Sequence, residues 1–244
     1  MTPESRAANI VSGTQDALVR RVFDDREQAG RALAAALAAW RSSPEALVLG
    51  LPRGGVPVAF EVADALGLPL DVLVVRKLGL PSQPELAMGA IASGGALVVN
   101  EDVLRYLPSG GDAFGAVRAR EQRELERRER EYRGDRLPLG LRGRSVILVD
   151  DGLATGATME AAVRSLQSLG ARRVVVAVPV ASAEARDRIA AVADEVVCLE
   201  APEFFSAVGQ WYRDFGQTTD AEVTGLLERA RRRAAPPADT GDNR

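Results

Sequence analysis

Apolar residues fall along this chain in two alternating patterns, a helical periodicity and short unbroken runs. Across residues 25–40, DREQAGRALAAALAAW, they recur at helical spacing, with Asp24 or Asp25 placed to cap the first turn. Residues 46–51 form a short apolar run that ends in Pro52-Arg53-Gly54-Gly55, and 56–67 predicts a helix closed by Gly67. Residues 70–75 are again continuously apolar and stop at Arg76-Lys77. The next stretch, LGLPSQPELAMGAIASGG over 78–95, is rich in Gly, Pro and Ser and predicts a long loop with one short strand at 88–92. Beyond it the pattern predicts a strand at 96–99, a short helix at 101–107 and a long Arg/Glu-dense helix at 113–133. A buried strand at 145–149 follows, then the turn DDGLATGAT and a helix at 159–169 closed by Gly170. Strands at 173–178 and 195–199 flank a helix at 183–193.

Strands without polar alternation, spaced by helices, imply a parallel sheet covered on both faces. The expected fold class is α/β, a doubly wound, mostly parallel sheet with a small hood built from the chain ends. Residues 1–20 are expected as an N-terminal extension and 21–234 as one domain, with a C-terminal cap over 200–234. That cap is expected to hold two short helices, the second capped by Thr219 with Glu222 three residues on. Residues 235–244 are expected as a disordered tail.

Composition narrows the class. The 244 residues are 46% hydrophobic and 27% charged, which argues against a disordered, collagenous or disulfide-scaffold chain. With 31 basic and 34 acidic side chains the net charge is -3, so no global cationic field exists to hold nucleic acid or an anionic membrane, and neither partner is expected. The absence of histidine removes His-based triads and His-ligated zinc, and a single cysteine excludes an internal disulfide. The N-terminus has no secretory pattern and no apolar run approaches the roughly 18 residues of a membrane span, so a cytoplasmic protein is expected. Lys77 is the sole lysine.

The chemistry concentrates in 146–158, VILVDDGLATGAT. Two carboxylates stand at the carboxyl end of a buried strand, and a loop of small residues opens the next helix, which is where ligands bind in open α/β sheets. Backbone N–H groups and the helix dipole favour an anion there, and Thr155 and Thr158 add hydroxyls. Asp150 and Asp151 suit sugar hydroxyls or a hydrated divalent cation, because ionised carboxylates only accept hydrogen bonds. Together they describe a pocket for a sugar phosphate. The loop is neither a Walker A sequence nor a dinucleotide fingerprint.

This stretch closely resembles the signature with which type I phosphoribosyltransferases bind phosphoribosyl pyrophosphate (PRPP), departing mainly at Gly152, where that family more often carries an apolar residue. The resemblance implies that Asp150 and Asp151 contact the ribose hydroxyls and that Ala154, Thr155, Gly156, Ala157 and Thr158 wrap the 5-phosphate. It also implies that Arg53, Gly54 and Gly55 form a pyrophosphate loop, entered by a cis peptide that would be Pro52-Arg53. Arg76 and Lys77 then correspond to a basic pair beside a mobile loop that closes over PRPP, and they are the expected catalytic residues. The implied chemistry displaces pyrophosphate from C1 by a nitrogen nucleophile, with magnesium carried on PRPP and no metal ligated by the protein alone. Positioning and cations on the leaving group can supply most of that effect, so the lack of histidine is no obstacle.

The acceptor is unassigned. The loop lacks the acidic residue that 6-oxopurine members carry at the position of Ala154, and its small residues lean toward the adenine type. Aromatics are 5% of the chain, yet Phe204, Phe205, Trp211, Tyr212 and Phe215 lie within twelve residues. They either stack on a base, with Trp211 and Tyr212 as weak candidates, or pack the cap onto the core. The resemblance extends over roughly residues 20–230, to bacterial proteins whose acceptor is generally unassigned, and it implies a homodimer. The alternative reading is a non-catalytic module that senses PRPP or a nucleotide. The Arg/Glu helix is expected to present a solvated face of intrahelical pairs, and Cys198 to be a buried apolar residue.

Overall fold

The unbroken apolar runs pair side by side as one parallel sheet in the computed structural model, which describes residues 9–12, 22–105, 112–138 and 140–234. The first half of the chain comprises β1 (Asn9–Ser12), α1 (Arg26–Ala36), β2 (Ala46–Gly50), α2 (Gly55–Leu66) and β3 (Leu70–Val72). Next come β4 (Val75–Leu80), β5 (Gln83–Ala92), β6 (Ala96–Val99), α3 (Glu101–Leu104) and α4 (Ala113–Arg133). The second half comprises β7 (Ser145–Val149), α5 (Ala157–Ser168), β8 (Arg173–Val180), α6 (Ala183–Ala190), β9 (Glu195–Glu200) and α7 (Asp220–Ala234).

The main sheet has the order β1-β9-β8-β7-β2-β3, with every pair parallel. Alternation along each strand sends side chains to opposite faces. Val48, Ile147, Val175 and Val197 pack with Leu33 of α1, Val58 of α2, Leu125 of α4 and Leu227 of α7. Leu47, Val146, Val174 and Val196 pack with Val163 of α5 and Ile189 of α6. Both faces are therefore covered, as the fold class requires. From β2 the chain crosses through α2 to β3, and from β7 it crosses through α5 to β8 on the other side. The winding reverses between β2 and β7, and a crevice opens at their carboxyl ends.

Several expectations are corrected. Residues 78–95 are not a loop: β4, β5 and β6 form a separate three-stranded antiparallel sheet, with only Pro81-Ser82 turning between the first two. Gly79 and Gly89, read as loop residues, are ladder residues at close approaches, whereas Gly94 and Gly95 do turn the chain, each at a φ of 81°. A Cβ on Gly79 would collide with the Pro84 carbonyl oxygen, and one on Gly89 with that of Val98. The register also shifts beside Gly79. Part of the expected N-terminal extension is an edge strand, since Asn9–Ser12 pairs with Glu195–Cys198 of β9; four residues with polar ends give too little pattern to read. The rest of residues 1–20 and the expected tail 235–244 lie outside the described residues.

The C-terminal cap holds a short 3-10 turn at Val208–Trp211 and one fifteen-residue helix, α7, in place of two short helices. Its capping box forms as expected: Thr219 N donates to Glu222 Oε2 at 2.7 Å and Glu222 N donates to Thr219 Oγ1 at 3.2 Å. The long α4 is solvated on one side only. Arg127 and Arg128 pair with Glu124 there, holding its carboxyl down at about 2. On the other side Arg133 is buried against Asp71 at 3.0 Å. Among the described residues no helix is long and apolar enough to cross a membrane.

Candidate functional site

Two loops meet in the crevice between β2 and β7. Leaving β2, the chain passes a cis Pro52-Arg53 peptide and turns at once into α2. Leu51 N donates to the Val149 carbonyl at 2.9 Å, which seats this loop against the end of β7. The glycines are there because the two loops touch. A Cβ on Gly55 would lie 2.8 Å from both Asp150 Cα and the Val149 oxygen, and one on Gly54 would lie 2.8 Å from Asp151 Cγ.

Leaving β7, the chain presents Asp150 and Asp151 and then anchors itself, Leu153 N donating to the Val180 carbonyl at 2.9 Å and Ser182 Oγ to the Ala154 carbonyl at 2.8 Å. Gly156 takes a φ of 73°, a left-handed conformation suited to glycine, and α5 begins at Ala157, two residues earlier than the pattern predicts. Ala154, Thr155 and Thr158 surround the N-terminus of α5, whose first N–H groups have no intrahelical partners. Ala157 N donates to Thr155 Oγ1 at 3.4 Å, and the N–H groups of the first turn, the two hydroxyls and the positive end of the helix favour a phosphate-sized anion.

The two carboxyls share a partly buried corner. Burial, then the neighbouring Asp151, pushes the Asp150 carboxyl well above its ordinary range. Burial also raises Asp151, opposed by the guanidinium of Arg26. Arg26 Nε and Nη2 each lie 2.9 Å from Asp151 Oδ2, and Nη1 donates to the Gly216 carbonyl at 2.7 Å. Nothing in the sequence marks Arg26. An arginine directly after a helix N-cap reads as surface charge, and its partners are 125 and 190 residues away.

The hood lies directly on this loop. Phe23 N donates to the Trp211 carbonyl and Arg213 N to the Phe23 carbonyl, both at 2.8 Å, so the two chain ends pair as a short ribbon. Val208 occupies the space above Gly152, where a Cβ would meet its Cγ1 at 2.6 Å, and this accounts for the missing apolar side chain at 152. Trp211 and Tyr212 are 3% and 5% exposed and pack with Phe23 and Ala29, so the stacking expectation for them is corrected to core packing. Tyr212 still reaches the site, by its hydroxyl, which donates to the Asp151 carbonyl at 2.6 Å. Phe215 and Phe204 are the exposed aromatics of the cluster. A cavity of about 570 Å³ opens beyond Arg26, between α1, α2, α7 and the 214–218 segment.

The basic residues do not act as one group. Arg53 lies 3.7 Å from Asp220 Oδ2 at the start of α7, and the other Asp220 oxygen accepts from the Tyr132 hydroxyl at 2.6 Å. Arg76 and Lys77 sit inside β4, opposite Ile91 and Ala90, so their side chains leave on opposite faces of the ribbon. Arg76 Nη2 is 2.6 Å from Glu121 Oε2 on α4, whereas Lys77 is exposed and forms no ion pair among the described residues. Among those residues no three His, Cys, Asp or Glu side chains converge to cage a metal. Cys198 is buried, as expected, its thiol pushed up to about 12 by desolvation.

Comparison with known proteins follows the same lines. A phosphoribosyl transferase domain model matches residues 25–215. A provisionally named phosphoribosyl transferase of Mycobacterium tuberculosis is 53% identical over 212 residues, covering 87% of this chain and 48% of its own length. The chain thus spans about half the length of the curated relatives it matches. TT1426 from Thermus thermophilus, a crystal structure, is 50% identical with a TM-score of 0.78, covering 85% of this chain and 98% of its own. An adenine phosphoribosyltransferase of Rhodococcus jostii is 49% identical over 53 residues, 21% of this chain and 30% of its own. With its switch-point crevice, its paired loops and these relatives, the chain belongs to the phosphoribosyl transferase domain family.

Proposed function

We propose that the crevice between β2 and β7 binds PRPP as its magnesium complex and that the protein transfers the phosphoribosyl group to a nitrogenous base or related small acceptor, releasing pyrophosphate. The observation that carries this reading is the contact of the two loops. Gly54 and Gly55 bring one loop against Asp150 and Asp151 of the other so closely that a Cβ would not fit. In this reading Asp151 accepts from the ribose hydroxyls, 154–158 wraps the 5-phosphate, and Arg53, Gly54 and Gly55 face the pyrophosphate. Magnesium arrives with the substrate, and when bound it offsets charge on the departing pyrophosphate. The chain's own contribution is to orient the sugar between the loops and to place Lys77 where its ammonium can approach the leaving group.

A second reading, a PRPP or nucleotide sensor without turnover, is favoured by one observation. Arg76 directs two of its guanidinium nitrogens to Glu121, so of the basic pair expected for catalysis Lys77 alone is without an ion pair among the described residues. The test is pyrophosphate release from Mg-PRPP across purine, pyrimidine and simple amine acceptors, adenine among them, with isolation of the ribosylated product. A new glycosidic bond formed with one acceptor supports the transferase. Tight Mg-PRPP binding with no product from any acceptor supports the sensor.

A further inference from the structure

We propose that Arg26 is a positioning residue that aims the Asp151 carboxylate into the pocket and ties that carboxylate to the hood, a role that rests on the PRPP reading for its substrate but not for its geometry. Every nitrogen of its guanidinium is used. Two go to the same oxygen of Asp151, each at 2.9 Å, so the pairing is end-on and the other oxygen, Oδ1, is not taken by Arg26. The third goes to the Gly216 carbonyl at 2.7 Å. The flat face of the guanidinium lies 4.0 Å from the centroid of Phe215, and that ring packs on Tyr212 at 5.0 Å. Arg26 and Asp151 side chains are 13% and 15% exposed, so the pair is shielded from the screening that weakens surface ion pairs.

The surroundings explain why a cation is needed there. Asp151 is faced by Asp150 on its own loop, by the uncharged Gly54 of the β2–α2 loop, and by the Tyr212 hydroxyl of the hood on its carbonyl. Two partly buried acids side by side favour retaining a proton; on Asp150 the Asp151 N–H and then Arg26 oppose this, and on Asp151 Arg26 is the foremost opposing group. A protonated Asp151 would offer a donor where sugar hydroxyls need an acceptor. Arg26 belongs to α1, whose entry is pinned to the hood by Asp214 N donating to the Asp24 carbonyl at 2.9 Å. The Gly216 carbonyl, the Asp214 N–H and the Phe215 ring tie Arg26 and its helix to the hood segment at 214–216. One side chain thus links the wall of the 570 Å³ cavity, which Arg26 also lines, to the sugar end of the crevice.

The test compares wild type, Arg26→Gln and Arg26→Lys by calorimetric titration of Mg-PRPP, with thermal melts alongside. Carbon-13 NMR titration of the aspartate carboxyls is run on the ligand-free proteins. Loss of hydrogen bonds to a charged group predicts that Arg26→Gln weakens Mg-PRPP binding by roughly tenfold or more. Arg26→Lys, which keeps the charge, is expected to recover most of that loss. Without ligand, the Asp151 carboxyl is expected to titrate at higher pH in Arg26→Gln and near its wild-type position in Arg26→Lys. Wild-type affinity in folded Arg26→Gln, or equal weakness in both variants, overturns the proposal. If wild type itself fails to bind Mg-PRPP, the substrate reading falls, and the proposal is decided by NMR: an unmoved Asp151 titration overturns it, an upward shift sustains it. Should Arg26→Gln not fold, Arg26→Lys decides alone, since an Asp151 titration moved well up despite the lysine also overturns the proposal.

Discussion

Placing a methyl group on Gly152 tests whether the hood rests on the loop that leaves β7. The new Cβ would lie 2.6 Å and 3.0 Å from the two methyls of Val208 and 3.1 Å from Val180 Cγ1. Carbon pairs rest at about 3.5–4.0 Å, so the closest overlap is roughly 1 Å. Gly152 is not among the glycines with positive φ, so the substitution carries a packing penalty without backbone strain. Val180 is fully buried in β8 and cannot give way, whereas Val208 rides on a half-buried turn, so relief comes from lifting the hood. Overpacking costs about 1–3 kcal/mol, and one methyl against a movable turn belongs in the lower half of that range. The lost freedom of the unfolded chain works the other way by about 0.4–1 kcal/mol. A net loss of roughly 1 kcal/mol corresponds to a Tm lower by about 2–4 °C for a chain of this size. In a Val208→Ala background the overlap with Val208 disappears and only the 3.1 Å approach to Val180 Cγ1 remains, so Gly152→Ala becomes close to neutral and a cycle of four proteins gives a coupling of about 1 kcal/mol. Thermal and urea melts measure it. Equal destabilisation by Gly152→Ala in both backgrounds would refute the docking.

Other expectations bear on the same corner. The ordinary value for the Asp150 carboxyl is 3.8, and burial raises it well above that in the folded chain. The folded state therefore holds its proton to higher pH than the unfolded state, and the associated stability, whole below the ordinary value, is lost as pH rises through the raised one. Asp150→Asn should raise the Tm of the ligand-free protein near neutrality, with the gain vanishing below about pH 4; a gain that persists in acid would argue against burial as its cause. Arg76→Ala removes both hydrogen bonds to Glu121 Oε2 and leaves that buried carboxylate with Arg120 alone, on Oε1, and is expected to lower stability by about 1 kcal/mol in denaturant melts. Lys77→Ala should leave the melt unchanged and lower kcat more than it raises the KM for PRPP, in any acceptor assay that gives product. Tyr212→Phe removes one donor to the Asp151 carbonyl and should cost about 1 kcal/mol by urea titration, a neutral result showing that the hydroxyl is not needed to seat the hood.

What is legible from sequence is whatever adjacent residues encode. Continuous Val/Ile/Leu runs mark the strands of the parallel sheet, because a strand covered on both faces has no polar side to show. The Asp-Asp pair and the Thr-Gly loop are one contiguous stretch, so their meeting at the end of β7 needs no tertiary knowledge. Residues 78–95 mislead because glycine and proline mark turns on average, yet here Gly79 and Gly89 serve close strand approach in an antiparallel ribbon. The same ribbon separates Arg76 from Lys77, since alternation in β4 sends them to opposite faces. Arg26, Val208 and the Tyr212 hydroxyl are invisible for a different reason. Each meets the 150–152 segment only after the chain ends fold back over it, and no local spacing encodes such a contact.

The most direct test of the central claim is a calorimetric titration of Mg-PRPP into the wild-type chain and into the Asp150→Asn, Asp151→Asn double variant, each shown to be folded by its thermal melt. Saturable one-site binding by wild type and none by the variant is the predicted result. Equal binding by both would contradict it, leaving the crevice between β2 and β7 without its assigned ligand.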